Sequence, residues 1–391
     1  MVLDIKAENG TVQHRVISAD CHIDLIWLPP DLFTSEAPAA LKERMPYVEE
    51  REDGLRWVSR DGADFGLVNG MGSAGRPYVP GQIQRSDRMA ATGLYDDGKR
   101  GIRRLTDPDL RVKDQDLDGV QGEVLYGILG SSARLGDQEA GDAMLHIYNR
   151  WLEGFCATHP ERFAGIACVS NSDMSAAVAE IERIGRNGVL KGVEIPCTPD
   201  MRPLFDPHWH PLWKAAEEAN LPLHLHTIGG KKPDFEGLPP LQARQSFAVF
   251  LTGFQVAMSR FLMEAIYGGI FEVAPRLKLV FGESGIGWIP YILEHMDLEW
   301  EEQFQDLTLT MKPSEYWHRN CYATYQSDRV GVKLLEELGE DNIMWGSDFP
   351  HPDGVWPDSQ EFIEREVGHL PEAVRQKVVC DNAKRLYRFT G

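Results

Sequence analysis

The chain of 391 residues is predicted to be an α/β protein, a (β/α)8 TIM barrel with a long insertion between strands 1 and 2. Three observations carry that expectation. Eight short apolar segments alternate with helical patterns, spaced widely enough for parallel strands joined by crossovers. Eight is also the number of strands that closes such a barrel. Finally, two of the segments end on metal-ligand side chains: Val-Ile-Ser-Ala-Asp-Cys-His on Asp20 and His22, and Met-Trp-Gly-Ser-Asp-Phe-Pro-His on Asp348 and His351. These ends lie more than 300 residues apart, so a single metal site built from both would be closed by the whole chain.

The expected strands are 15–20, 122–126, 163–169, 190–195, 222–226, 278–282, 321–325 and 343–346. Several are near-continuous apolar runs, as parallel strands covered on both faces should be. Between them, 140–159 carries an amphipathic stripe through Met144, Ile147, Trp151 and Phe155. Segment 174–187 follows an Asn-Ser-Asp cap and stops before Gly188, a C′ glycine. Segment 243–271 is apolar almost all round and is expected to be a buried helix. Residues 31–118 are rich in charge, Gly and Pro with few strand or helix signals. They are read as an insertion on a single domain spanning 1–391, serving as a lid, a substrate wall or a dimer arm.

Composition sets limits. A hydrophobic share of 42% supports a large core. A net charge of −20 argues against nonspecific binding to nucleic acid or an anionic membrane. The six cysteines are scattered without a Cys-x-x-Cys pair, which fits a reducing cytoplasm better than a disulfide framework. No signal-peptide core opens the chain and no 18-residue apolar run occurs, so a cytoplasmic protein is expected.

In such a barrel the active site lies at the C-terminal strand ends. Those ends supply Asp20 and His22, Glu194, His224 and His226, Glu283 and Asp348. Carboxylate and imidazole ligands without thiolate suit Zn, Mn or Fe, as one or two ions per chain. Each residue also has a plainer reading. Asp-x-His occurs by chance, Glu194 could pair with Lys191 or Arg202, and His351 could cap the turn at Pro350. Of the two histidines on the fifth strand, His226 is nearer the end and the better ligand, with His224 left for hydrogen bonding or a second metal. Glu283, after an apolar strand, is harder to dismiss, because a buried unpaired carboxylate is costly. Tyr126, Trp288, Phe349 and Trp356 lie at or beyond strand ends and would suit an apolar or aromatic substrate, or ordinary packing.

Asp20-Cys21-His22, Leu-Pro-Leu-His-Leu-His (221–226), Phe-Gly-Glu-Ser-Gly-Ile-Gly-Trp (281–288) and Gly-Ser-Asp-Phe-Pro-His (346–351) resemble motifs of the amidohydrolase superfamily. The most similar branch contains aminocarboxymuconate-semialdehyde decarboxylase and γ-resorcylate decarboxylase. Asp-Leu-Asp-Gly-Val (116–120), Pro-Glu-Arg-Phe (160–163) and Asp-Asn-Ala-Lys-Arg-Leu-Tyr (381–387) add to the match. The resemblance implies that Asp20, His22 and His226 ligate metal and that Asp348 is both ligand and general base. It also implies a homodimer. Glu283 stands where many members have His, which raises the expectation of a second metal, with Glu194 or His224 as extra ligands, and weakens a mechanism that needs that His.

Three chemistries are therefore expected. The leading one is hydrolysis of a small amide, ester or related substrate by metal-activated water, with Asp348 as base and Glu283 and His351 assisting. The alternatives are nonoxidative decarboxylation of an aromatic or enol-type acid, and C–H hydroxylation at a dinuclear non-haem iron site.

Overall fold

The first strand, β1 (Ile17–His22), starts the barrel, and the chain then leaves it for almost a hundred residues before returning. The computed structural model describes residues 14–198, 200–226 and 237–390. The excursion builds a three-stranded antiparallel sheet from β2 (Tyr47–Arg51), β3 (Gly54–Val58) and β4 (Asp64–Leu67). This corrects the reading of 31–118 as a stretch with little regular structure. The paired strands are short and partly buried, with Trp57, Val58 and Phe65 inside and no buried residue on β2, so their sequences lack the apolar alternation that marks a half-buried strand.

The barrel continues with β5 (Gly122–Tyr126), β6 (Phe163–Cys168), β7 (Gly192–Ile195), β8 (Leu223–His226), β9 (Leu279–Gly282), β10 (Cys321–Tyr325) and β11 (Ile343–Trp345). With β1 these form one parallel eight-stranded sheet in chain order. Every residue of the eight strands is buried, which explains their unbroken apolar character. The first and last strands meet through the segment after β11. Asp348 N–H donates to the Asp20 carbonyl at 2.8 Å and His22 N–H to the Phe349 carbonyl at 2.7 Å. The seam of the barrel therefore runs through the candidate metal-ligand side chains. An irregularity in the β1–β5 register between Ser18 and Cys21 lies at the same place, as bulges beside active sites often do.

Two expected helices form nearly as read. Gln138–Thr158 is capped by Asp137, and Met174–Asn187 is capped by Asp173 and stopped by Gly188 at φ 74°. The apolar segment 243–271 does not form one buried helix. It divides into Pro240–Gly253, a short turn, Met258–Tyr267 and Ile270–Val273. The second of these helices buries Met258, Phe261, Leu262, Ala265 and Ile266, whereas Pro240–Gly253 has no buried residue. A break at Gly253–Phe254 lets the chain bend by 48°, so only the second half reaches the barrel. Among the described residues no single helix is long and apolar enough to cross a membrane.

The last helix of the insertion, Pro108–Asp118, ends on a buried carboxyl that receives the backbone N–H of Ser359 at 2.9 Å and its hydroxyl. Burial pushes the Asp118 carboxyl up to about 8 despite these bonds. Between the ordinary carboxylate range and that value, the folded chain holds a proton that the unfolded chain has lost. Stability contributed here is therefore full at low pH and declines as pH rises towards 8, by at most about 1.4 kcal/mol per pH unit. Asp118→Asn should remove that slope. Urea midpoints of wild type and variant at pH 5 and pH 8 measure it, and parallel pH profiles would refute it.

Candidate metal centre

Asp20 and His22 leave β1 on the same face, as period two requires. His22 Nε2 lies 3.3 Å from Asp20 Oδ1 and 3.1 Å from Asp348 Oδ1. His226, at the end of β8, places Nε2 3.4 Å from Asp20 Oδ1 and 3.8 Å from Glu283 Oε2. Asp20 Oδ1, His22 Nε2 and both Asp348 oxygens are buried yet make no hydrogen bond. Ligand atoms around a cation at about 2.1 Å in tetrahedral geometry sit about 3.4 Å apart, so the spacing and the orphaned atoms both fit a bound divalent ion.

Backbone strain aims the carboxylates. Glu283 and Asp348 follow β9 and β11 with φ of 49° and 56°, the left-handed region that non-glycine residues rarely enter. The Glu283 N–H donates to Asp20 Oδ2 at 2.8 Å, and the Thr324 hydroxyl donates to the same oxygen at 2.7 Å. These bonds hold Asp20 with its other oxygen turned towards the histidines. Gly346 and Gly282 make the crowding tolerable. A Cβ on Gly346 would lie 2.5 Å from the Asp20 Cβ, and one on Gly282 2.6 Å from the His226 ring and 2.8 Å from the Tyr126 hydroxyl. Gly282→Ala should push His226 aside and weaken metal retention about 10–100-fold, the range seen when a ligand's support is lost. Metal content after dialysis against graded chelator would test this, and unchanged retention would refute it.

The electrostatics separate the residues into roles. Burial alone would raise the Asp20 carboxyl, but His22 and His226 beside it hold it well below the ordinary range. Burial would lower His226, but Asp20, Glu283 and Glu194 carry it up to about 10 in the absence of a cation. Glu283 is pushed well up by burial and by Asp348. His351 Nδ1 lies 3.0 Å from Asp348 and its Nε2 3.1 Å from Asp24, and these two carboxylates raise it against its burial.

Other expected residues stand further back. Tyr126 Oη is 2.8 Å from His224 Nδ1, and burial lowers His224 to about 3, so its ring is neutral. The ring of Tyr126 also lies against those of His22 and His226. Glu194 is buried on β7 and raised by burial to about 6, and it pairs with neither Lys191, which bonds the Gly188 carbonyl, nor Arg202, which bonds Asp206. Neither His224 nor Glu194 joins the ligand groups. Trp288 is half-buried with its indole N–H on the Ser284 carbonyl. Trp356 is placed in the core, 2% exposed, its indole N–H donating to the Asp114 carbonyl and its ring packed on Phe349.

Sequence reasoning missed Asp24, Thr324, Asp353 and Arg111. Asp24 continues the alternation Asp20-x-His22-x-Asp24, so its spacing was a usable signal. Asp353 groups with Glu283 and Asp348, their ligand atoms within 4.8 Å of one another. Arg111, wholly buried, donates to Glu123 at 2.8 Å and to the His22 carbonyl at 2.9 Å beneath the site.

The chain is similar to several proteins of known name or structure. The γ-resorcylate decarboxylase of Rhizobium radiobacter is 24% identical over 303 residues, 74% of this chain and 89% of that protein. Among solved structures, an amidohydrolase from Mycobacterium avium subsp. paratuberculosis aligns with TM-score 0.71 and 21% identity over 96% of this chain and all of that one. A 5-carboxyvanillate decarboxylase from Novosphingobium aromaticivorans, solved with manganese and 3-methoxy-4-hydroxy-5-nitrobenzoic acid, aligns with TM-score 0.68 and 22% identity over 98% of this chain and all of that one. The two structural likenesses establish a shared barrel fold. The amidohydrolase family model matches residues 19–389, from the first ligand strand to the last helix, and the chain belongs to that family.

Proposed function

We propose that this protein is a metal-dependent, nonoxidative decarboxylase of a small aromatic acid. The observation that carries the reading is a proton-transfer pair: His351 Nδ1 lies 3.0 Å from Asp348 and its Nε2 3.1 Å from Asp24, so an imidazole able to give a proton stands beside a carboxylate of the ligand cluster. Decarboxylation of an aromatic ring needs a proton delivered to carbon, whereas hydrolysis, the leading expectation from sequence, needs one removed from water. The names of the relatives favour the same choice.

Asp20, His22, His226 and Asp348 would hold the ion, and manganese fits their carboxylate and imidazole donors. Bound there, a divalent cation supplies a fixed positive charge that orients the substrate's carboxylate and an adjacent hydroxyl. A proton from His351 passes through Asp348 to the ring carbon bearing the carboxylate, leaving Asp348 ionised as before and His351 neutral. The C–C bond then breaks, its electron pair returns to the ring and CO2 departs. Tyr126 and His224 keep the wall beside the histidines fixed and neutral.

The test is incubation of manganese-loaded protein with a panel of ortho-hydroxybenzoic acids, 2,6-dihydroxybenzoate included, in deuterated buffer. One CO2 released and one deuterium gained on the ring per turnover supports the proposal. Consumption of any of these acids without CO2 overturns it.

A second reading rests on the carboxylate group Glu283, Asp348 and Asp353 beside the Asp20, His22 and His226 group. Two adjacent groups of this kind suit two ions, and with iron they suit an oxygenase. Elemental analysis separates the readings: two irons per chain with oxygen uptake favours the oxygenase, one manganese the decarboxylase.

A further inference from the structure

The insertion encloses a second cleft, of about 640 Å³, that shares no residue with the metal centre. Its floor is apolar: Leu28, Met71 and Tyr95 are each 5% exposed or less. Its rim is cationic, with the exposed side chains of Arg76, Lys99 and Arg103. The one acid on the lining, Asp53, is tied to Arg56 at 2.6 Å. Arg76 and Arg103 form no ion pair among the described residues, and Arg76 lies over the Phe247 ring at 5.8 Å. With Lys99 paired to Asp96 at 3.9 Å, Arg76 and Arg103 leave a local excess of two cations, and on a chain of net charge −20 that field concentrates anions at one place.

The walls are built rather than accidental. Tyr78 and Tyr95 stack at 5.0 Å and 18°, and the Tyr78 hydroxyl is fixed by Asp87 at 2.7 Å. Met71 and Arg76 bond each other's backbones in a small hairpin. The tip of that hairpin, Gly72, stands against Pro352, where a Cβ would lie 3.2 Å from the ring. The cleft therefore backs onto the loop that carries His351.

We propose that this cleft is a second ligand site, for an amphipathic organic anion whose aromatic body lies on Leu28, Met71 and Tyr95 and whose acid group meets Arg76 and Arg103. Its volume falls in the range of small-molecule sites and exceeds what a one-ring acid fills. The probe is naphthalene-2-carboxylate, titrated calorimetrically into metal-loaded wild type, the metal-site variant His226→Ala, the double variant Arg76→Glu/Arg103→Glu and the conservative Arg76→Lys/Arg103→Lys. Wild type and His226→Ala should both keep one saturable site. The charge-reversed double variant should weaken it at least 10-fold and the lysine variant should keep it. Both arginines are exposed, so thermal melts of these variants should match wild type. Loss of the site in His226→Ala, its survival in the charge-reversed variant, or no saturable binding in wild type overturns the proposal. None of these outcomes depends on which reaction the metal centre performs.

Discussion

Asp348→Asn should lower turnover by about 10²–10⁴-fold, the contribution of a positioned proton-transfer group. The amide keeps the size of the carboxylate and an oxygen for a cation, but it cannot carry a proton from His351 to the substrate. The loss should therefore fall on kcat, with far-ultraviolet circular dichroism and most of the bound metal retained. The positive φ at this residue is one that Asn tolerates, so the backbone that aims it should survive. CO2 release from the aromatic acid on which wild type acts, measured beside metal content, gives the answer. Turnover near wild type would remove Asp348 from the mechanism, while loss of turnover together with metal would make it a ligand only.

Arg111→Met should cost stability on a comparable scale, about 3–5 kcal/mol, because it leaves a buried charge without its partner. Glu123 is 3% exposed and receives Arg111 at 2.8 Å and Gln115 at 2.9 Å. Arg111 also bonds the His22 carbonyl and lies over the Phe349 ring at 4.9 Å, so it braces both sides of the barrel seam. The companion variant Arg111→Met/Glu123→Leu removes both charges and should recover a large part of the loss. Urea unfolding of the three proteins measures this. A single variant within about 1 kcal/mol of wild type, the scale of an exposed ion pair, would show that the pair is not the brace described.

The barrel was legible because parallel strands buried on both faces write themselves as apolar runs, and the candidate ligands could be named because they end those runs. β5, β10 and the helix Met174–Asn187 form at the boundaries read from sequence. β1 runs from Ile17 to His22 rather than over 15–20, because pairing with β5 carries the strand through both ligands. What lay hidden depends on contacts between distant segments. Thr324 and Arg111 have no motif, and only the closed barrel brings the first to Asp20 and the second beneath His22. The insertion sheet was missed because its strands are short and β2, with no buried residue, carries charge where a buried strand carries Val or Ile. The apolar helix Pro240–Gly253 misled in the opposite sense, since composition reports a preference for burial without saying that a partner surface is there.

The seam between the first and last strands also fixes when the protein becomes competent during synthesis. Ser18 and Ser347 share a hydrogen bond across 329 residues, and Asp348 reaches His22 only once β11 is in place. A nascent chain lacking that last strand presents Asp20, His22 and His226 without Asp348, the fourth member of the cluster, on a sheet that is still open at one edge. Such a chain would hold a cation weakly and lack the proton carrier. Assembly of the candidate ligand set is thus tied to completion of the barrel, and cellular chains arrested short of β11 should be inert and dependent on chaperones to shield the unpaired edge of β1.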